Sequence, residues 1–167
     1  MLIHDSIIAK TSIFISLAVY FRVVMALNGT KSKSEIHTLL TPLSTAVLST
    51  ISTEGKPHAA VIYFIADEDL NVYFLTKSDT TKSHNLEKNT HAALTILFPN
   101  APQTIQATGS VSEIEEATMY SKIMDKISEE NAKGNSFFWP PPLSKLDSTG
   151  DLVLYKFTPD WLRYADF

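Results

Sequence analysis

The alternation of apolar and polar residues predicts a chain built mainly from β-strands after residue 44. Turn residues separate the first strands, with Gly55 and Pro57 after the first one and Asp67 after the second. Strands joined in hairpin order favour an antiparallel sheet that closes on itself, because closure removes unpaired edges. The predicted strands cover residues 45–52, 58–66, 70–76, 91–98, 103–114 and 151–158.

Three other segments have a helical pattern instead. Residues 34–40 end before Pro42, and residues 79–88 lie between two predicted strands. The third helix is predicted over residues 113–132 and begins at a capping box, in which Ser112 is followed three positions later by Glu115. Its apolar face contains Ile114, Ala117, Tyr120, Ile123 or Met124, and Ile127. The pattern therefore predicts a mainly β fold with flanking helices.

Residues 12–27 differ from the rest of the chain, because they are almost wholly apolar apart from Arg22. The run is short for a membrane span, which needs about 20 apolar residues. A signal peptide and an upstream extension without a fold of its own, with Met25 as the natural start, are both open interpretations. We divide the chain into this extension, residues 1–27, and one globular domain, residues 28–167. The expected location is the cytoplasm, and export or membrane attachment through residues 12–27 is the alternative.

Composition then narrows the classes of function. The formal net charge of −4 argues against nucleic-acid binding, which needs a basic surface. The chain contains no cysteine, which excludes disulfides, thiolate nucleophiles and cysteine-ligated zinc. A hydrophobic content of 44% with 19% charged residues is typical of a globular domain rather than a disordered chain.

Hydroxyl and lysine side chains are concentrated where the third predicted strand meets the second predicted helix, at residues 76–82. The first N–H groups of a helix lack intrahelical partners, and the helix dipole is positive at that end. Thr76, Thr80 and Thr81 add O–H donors, and Lys82 adds a full charge. This pattern predicts a site for a phosphate group. The alternative is that Ser78 or Asp79 only caps the helix.

Residues 74–86, F-L-T-K-S-D-T-T-K-S-H-N-L, resemble the flavin-binding signature of the pyridoxamine 5′-phosphate oxidase-like split-barrel family. Residues 52–64, 104–111 and 156–164 resemble further segments of that family, in particular its general stress protein-like and flavin oxidoreductase branch. The resemblance implies a six-stranded antiparallel split β-barrel that binds FMN in a homodimer, with the cofactor at the subunit interface. It also implies oxidoreductase chemistry on a small-molecule substrate. A flavin- or haem-binding carrier, or a stress-related sensor without turnover, is the alternative.

Carried over position by position, the resemblance implies which residues hold the cofactor. One group would bind the 5′-phosphate and the ribityl chain: Thr76, Lys77, Thr80, Thr81 and Lys82. A second group would run along the isoalloxazine ring and bond it through backbone atoms: Ala60, Val61, Ile62 and Tyr63. Thr104 stands where the family has a glutamine, and Gln106 is a neighbour that could replace it. We also expect Trp139, in the long aromatic and proline-rich loop, to lie near the ligand groove.

The chain departs from the family where pyridoxamine phosphate oxidation would need charged groups. The arginine and the lysine of the family's ring-binding strand fall at Ala60 and Ile65. The Arg-x-His-type substrate clamp is absent, because residues 162–167 are L-R-Y-A-D-F. We therefore expect flavin binding without pyridoxamine phosphate oxidase activity, and the sequence indicates no catalytic residue.

Deazaflavin and haem are the alternative cofactors, since relatives of this barrel bind haem. A haem would require a free axial histidine, for which His58 and His84 are candidates. His84 and His91 lack the spacing and the carboxylate partners of a metal site, so no metal ion is predicted.

Overall fold

The computed structural model describes residues 31–132 and 151–167, and these residues form three helices and seven strands. No helix among them is long and apolar enough to cross a membrane. The predicted apolar extension and the loop that contains Trp139 lie outside the described residues. The elements are α1 (Lys33–Leu40), β1 (Thr45–Ile51), β2 (Pro57–Tyr63), β3 (Ile65–Ala66), β4 (Val72–Lys77), α2 (Thr81–Lys88), β5 (His91–Leu97), β6 (Gln103–Glu113), α3 (Ala117–Ala132) and β7 (Leu152–Asp166).

The strands form one antiparallel sheet in the order β2-β1-β5-β6-β7-β4-β3. Its two edge strands, β2 and β3, are consecutive in the chain and are joined through the single residue Phe64. The sheet must therefore curl until its two edges meet, which produces a barrel that is closed by the chain itself at Phe64. The predicted mainly β barrel with flanking helices is confirmed.

The inward side chains of the curled sheet form the core, as the period of two in the strands requires. Phe64, Phe74 and Phe157 are fully buried there. A second cluster lies on the outer face of β4, where α3 packs Ile123 and Ile127 against the sheet. Burying each large apolar side chain contributes roughly 1.5–3 kcal/mol, so β4, which is covered on both faces, is firmly held.

Two predicted boundaries are wrong because strand pairing with β7 overrides local sequence. Ser112 belongs to β6 and lies opposite Lys156, so α3 begins at Ala117 and the predicted capping box at Ser112 does not form. The last strand does not stop at residue 158 but continues to Asp166. A capping box occurs instead at α1, where the Oγ of Ser32 accepts from the N–H of Glu35 and the Glu35 carboxylate accepts from the N–H of Ser32.

A β-bulge allows β7 to be this long. Thr108 of β6 lies opposite Trp161 and Gly109 lies opposite Pro159, so Asp160 is an extra residue on β7. Pro159 has no N–H for the ladder, and a bulge is one of the places where a strand tolerates this. The hydroxyl of Thr108 donates to the Asp160 carboxylate at 2.8 Å and holds the bulge.

The turn between β3 and β4 is organised by Asp67. Its carboxylate accepts four hydrogen bonds, from the N–H of Asp69, the N–H and Nδ2 of Asn71, and the hydroxyl of Tyr73. The neighbouring Leu70 has φ +64°, a left-handed conformation that is uncommon for a leucine, while its side chain is buried. The predicted turn is therefore present, but Asp67 is a structural group rather than a solvated charge.

Replacing Asp67 with alanine is expected to lower the free energy of unfolding by about 2–3 kcal/mol, because the side chains of the buried residues Tyr73 and Asn71 lose their acceptor. Urea denaturation followed by circular dichroism measures the change. The neighbouring Glu68→Ala is the control, since Glu68 is exposed and its loss is expected to stay within about 0.5 kcal/mol. Equal losses in both variants would contradict the assignment.

Candidate functional site

In the part of the chain that the structure describes, the two ends of the curled sheet lie side by side without forming a ladder between β2 and β4. The β3–β4 ladder places Ile65 opposite Tyr73, and beyond Phe64 this ladder stops because β2 pairs with β1 instead. The Cα atoms of β2 and β4 still come within 8 Å of each other. We call the gap between residues 60–63 of β2 and residues 74–77 of β4 the split groove. Within the described residues, the backbone edge of β2 that faces this groove has no strand partner.

The side chains of residues 60–63 leave that backbone edge accessible. Ile62 and Tyr63 are buried in the two apolar clusters, and Ala60 is small and half-buried. Val61 is 43% exposed and points away from the core. A flat molecule lying on this strand would meet backbone N–H and C=O groups and the two small side chains. The structure therefore brings the predicted ring-binding segment to one side of the split groove.

The other side of the groove ends in a cluster of three threonine side chains and one lysine. We call this cluster the anion corner, and its residues are Thr76, Thr80, Thr81 and Lys82. Thr76 is only 4% exposed, and its Oγ1 lies 3.2 Å from the Oγ1 of Thr80. Thr80 is the N-cap of α2: its hydroxyl accepts from the N–H of Ser83 at 3.4 Å and donates to the carbonyl of Lys77 at 3.0 Å. Strand β4 and helix α2 are thus joined by hydroxyl contacts at this corner.

Several donors of the anion corner are available to a ligand. The N–H groups of Thr81 and Lys82 precede the first intrahelical bond of α2 and have no acceptor among the described residues. The Thr81 side chain is exposed. Lys82 is half-buried, and burial lowers the pKa of its ammonium group below the ordinary lysine value. Within the described part of the chain, no carboxylate is paired with this ammonium group.

The acidic residue of the segment does not enter the corner. Asp79 is exposed and Thr80 caps the helix, so the alternative interpretation, in which Ser78 or Asp79 is the cap, does not hold. The Ser78 N–H instead donates to the carbonyl of Asp151 at the start of β7. Lys77 also points elsewhere, because strand alternation places its side chain on the face opposite Thr76. Its contribution to the corner is its backbone carbonyl.

Two buried hydrogen bonds fasten α2 across the end of the barrel. The Ser83 and Tyr155 hydroxyls lie 2.8 Å apart, which ties the first turn of the helix to β7. The Nδ2 of Asn85 donates to the Thr50 hydroxyl at 3.0 Å, which ties the next turn to β1. Sequence analysis missed all four residues. The only local signal is a polar residue at an inward strand position, as at Thr50.

The remaining predicted residues are not part of the groove of the same chain. Thr104 and Gln106 lie on the outer face of β6, in the middle of the sheet. Strands β5 and β1 lie between β6 and β2, and strand β7 lies between β6 and β4. Thr104 Oγ1 is buried without a hydrogen-bond partner among the described residues. His58 and His84, the candidate axial histidines, are both exposed. Across residues 31–132 and 151–167, no three His, Asp or Glu side chains are grouped in a way that could hold a metal ion.

Comparison with known sequences identifies the family of the chain. A family model described as pyridoxamine 5′-phosphate oxidase matches residues 32–166, which include both sides of the split groove and the whole of the sheet. The chain belongs to the pyridoxamine 5′-phosphate oxidase family. A curated relative, the pyridoxine/pyridoxamine 5′-phosphate oxidase of Salinibacter ruber, is 29% identical over 108 residues. That match covers 63% of this chain and 47% of the relative, so the chain spans about half the length of the curated relative.

Solved structures share the fold of this family member. General stress protein 26 from Bacillus anthracis aligns with a TM-score of 0.57 and 24% identity, covering 78% of this chain and 92% of that one. A pyridoxamine 5′-phosphate oxidase-related, FMN-binding protein from Nostoc punctiforme aligns at 0.52 with 15% identity, covering 80% of each chain. HutZ, the haem storage protein from Vibrio cholerae, also aligns at 0.52 with 15% identity, covering 77% and 88%. An F420 reductase aligns at 0.57 with 19% identity, covering 75% and 94%. At these identities the comparisons establish the fold.

Proposed function

We propose that the split groove binds FMN and that the protein is an FMN-dependent oxidoreductase acting on a small molecule. The observation that carries the proposal is the juxtaposition of two predicted segments. Residues 60–63 lie on an edge strand of the sheet next to β4, and residues 76–82 offer a cationic, donor-rich corner. FMN has the matching two-part chemistry, a flat hydrogen-bonding ring at one end and a phosphate at the other.

The anion corner suits a phosphate monoester in charge and in donors. The N–H groups of Thr81 and Lys82 lie at the positive end of the α2 dipole. The Lys82 ammonium group supplies a full positive charge that is already partly desolvated. The hydroxyls of Thr76 and Thr80 bond each other and the Lys77 carbonyl in the free protein, so they can exchange these partners for phosphate oxygens. This set provides several donors for a dianion and, with Asp79 at the surface, brings no negative side chain to it.

The β2 edge suits the ring. Its backbone N–H and C=O groups alternate along the strand and would pair with the donors and acceptors on the pyrimidine side of a flavin. When bound, FMN supplies the hydride or electron transfer, and the protein supplies orientation and electrostatics. The residues of this chain would orient the ring along residues 60–63 and hold its phosphate 5′ end at Lys82.

We further propose that the complete site needs a second copy of the chain. Thr104 and Gln106 face outward, on the side of the sheet where Leu97 lies opposite Thr104 and is 61% exposed. Val61, beside the groove, is also an exposed apolar side chain. A homodimer that covered these surfaces would bring Thr104 and Gln106 of one copy toward the groove of the other. Sedimentation velocity with and without FMN tests this, and a monomer in both conditions would contradict it.

Absorption spectroscopy of the purified protein tests the cofactor and the chemistry together. Flavin bands that bleach on anaerobic addition of NADPH or NADH would support the oxidoreductase. Flavin bands that persist with either donor would favour a carrier or sensor. A Soret band after reconstitution with haem, with no retention of FMN, would overturn the proposal in favour of haem binding.

Lys82 also predicts how FMN affinity depends on pH. Burial lowers the pKa of Lys82 in the free protein, so its charge is lost at a lower pH than the ordinary value of about 10.4. A bound phosphate dianion favours the charged form and raises this pKa again, so binding takes up a proton between the two values. We expect FMN affinity to fall by up to about tenfold per pH unit in that range. Titration calorimetry in two buffers of different ionisation enthalpy measures the proton uptake.

The control variant is Lys82→Met, which keeps the side-chain length without the charge. It should bind FMN more weakly and with no proton uptake in the same pH range. The stability of the free protein should change with pH in the opposite direction to its FMN affinity. Burial disfavours the charged form of Lys82 in the folded state, so the free energy of unfolding rises as the pH rises from the lowered pKa toward the ordinary one. Identical proton uptake by both proteins would contradict the role of Lys82.

A further inference from the structure

The first turn of α2 is held from inside the protein by a residue of a strand that is distant in the sequence. Tyr155 lies on β7, is buried, and places its hydroxyl 2.8 Å from the Ser83 hydroxyl. Ser83 is itself buried at the third position of α2, where its N–H is bound by the N-cap Thr80. The hydroxyl of Tyr155 is therefore connected to the anion corner through one residue.

Tyr155 is also connected to the other half of the corner. It pairs with Phe74 across the β4–β7 ladder, and the two rings stack with centroids 5.4 Å apart. Phe74 and Thr76 lie on the same face of β4, two residues apart. Tyr155 thus contacts the strand that carries Thr76 and the helix that carries Thr80 and Lys82.

We propose that Tyr155 and Ser83 are positioning residues that set the geometry of the anion corner and thereby the preference for a phosphorylated flavin. This inference rests on the proposed function. A phosphate needs donors from β4 and α2 at the same time. The Ser83–Tyr155 bond ties α2 to β7, and Tyr155 pairs with and stacks on Phe74 of β4, so the bond helps to fix how α2 sits relative to β4. Without this bond the first turn of α2 loses its buried tie to β7, whichever of the two hydroxyls is removed.

The test compares FMN with riboflavin, which has the same ring and no phosphate. Tyr155→Phe removes only the hydroxyl and keeps the stacking on Phe74. We expect its dissociation constant for FMN to rise about tenfold, the fold-change that corresponds to one lost hydrogen bond, with that for riboflavin unchanged. Ser83→Ala should give the same loss of FMN affinity. The double variant should bind FMN no more weakly than either single variant, because each of the three variants removes the same Ser83–Tyr155 bond. Fluorescence titration measures both ligands.

The matched control is Thr50→Val, which removes the other buried bond of α2, to Asn85. It should lower thermal stability to a similar degree while leaving the ratio of FMN to riboflavin affinity intact, since Asn85 lies a half-turn further from the corner. A wild-type protein that prefers FMN, with Tyr155→Phe and Ser83→Ala keeping the full preference, would overturn this inference alone. An equal loss of both ligands in these variants would do the same, since it indicates a structural role. Equal affinity of the wild type for both flavins would overturn the phosphate site and this inference together.

Discussion

Lys82→Ala should weaken FMN binding by about 10- to 100-fold, the loss expected when a charge-assisted hydrogen bond to a phosphate is removed. Lys82 is the cation of the anion corner, half-buried beside the free N–H groups at the start of α2. Its partial burial makes the charge less screened by solvent than that of a surface lysine. Titration of FMN fluorescence measures the dissociation constant.

Lys88→Ala is the control, because it removes the same charge from the exposed last turn of the same helix. It should leave FMN affinity within about twofold, since screening by salt leaves little of an interaction more than about 10 Å away. Riboflavin, which lacks the phosphate, should bind Lys82→Ala as well as it binds the wild type. FMN affinity that survives in Lys82→Ala would show that the phosphate does not bind at this corner.

Gly109→Ala should destabilise the protein by about 3 kcal/mol or more, at or above the usual range for overpacking. A Cβ at residue 109 would overlap the backbone carbonyl of Thr158 and come within 2.9 Å of the Cα of Pro159. Both obstacles are backbone atoms of the bulged strand β7, so a side-chain rotation cannot relieve them. Chemical denaturation measures the loss of stability. A variant that is largely unfolded at room temperature would also agree with this prediction.

Gly55→Ala provides the comparison, because that glycine is needed for a different reason. Its φ is +77°, but a Cβ there would meet no atom within 4 Å. The expected loss is therefore only the strain of a left-handed residue, about 1–2 kcal/mol. If the two substitutions destabilise the protein equally, close strand contact is not what requires glycine at position 109.

The comparison of these two substitutions gives a physical reason for the glycine at position 109. In the sequence, Gly109 is only one position of residues 104–111, a segment that resembles the family, and a glycine within a strand has several possible causes. The structure shows that the bulge at Asp160 brings the backbone of β7 against position 109. The neighbouring Pro159 belongs to the same bulge, so the glycine and the proline are two parts of one irregularity.

Local patterns were sufficient for much of the candidate site. The junction of β4 and α2 was predicted correctly as a strand followed by a helix, because alternation, capping hydroxyls and helical spacing all operate within a few residues. The cap is Thr80, which was not among the two residues named in the alternative interpretation, Ser78 and Asp79. Both segments implied by the resemblance to hold FMN were visible in the sequence, but nothing local indicated that they face each other.

By itself, the sequence determined that the chain is mainly β, where most strands lie, and which segment concentrates hydroxyl and lysine side chains at the start of a helix. Tertiary structure decided that residues 58–66 divide at Phe64, one half pairing with β1 and the other with β4, and this division opens the split groove. It also decided the full length of β7 and the Ser83–Tyr155 bond, whose members are 72 residues apart. The reason is that backbone pairing and buried hydrogen bonds depend on which distant strands become neighbours. That choice is made by the closure of the whole barrel, whereas periodicity and helix capping depend on adjacent residues alone.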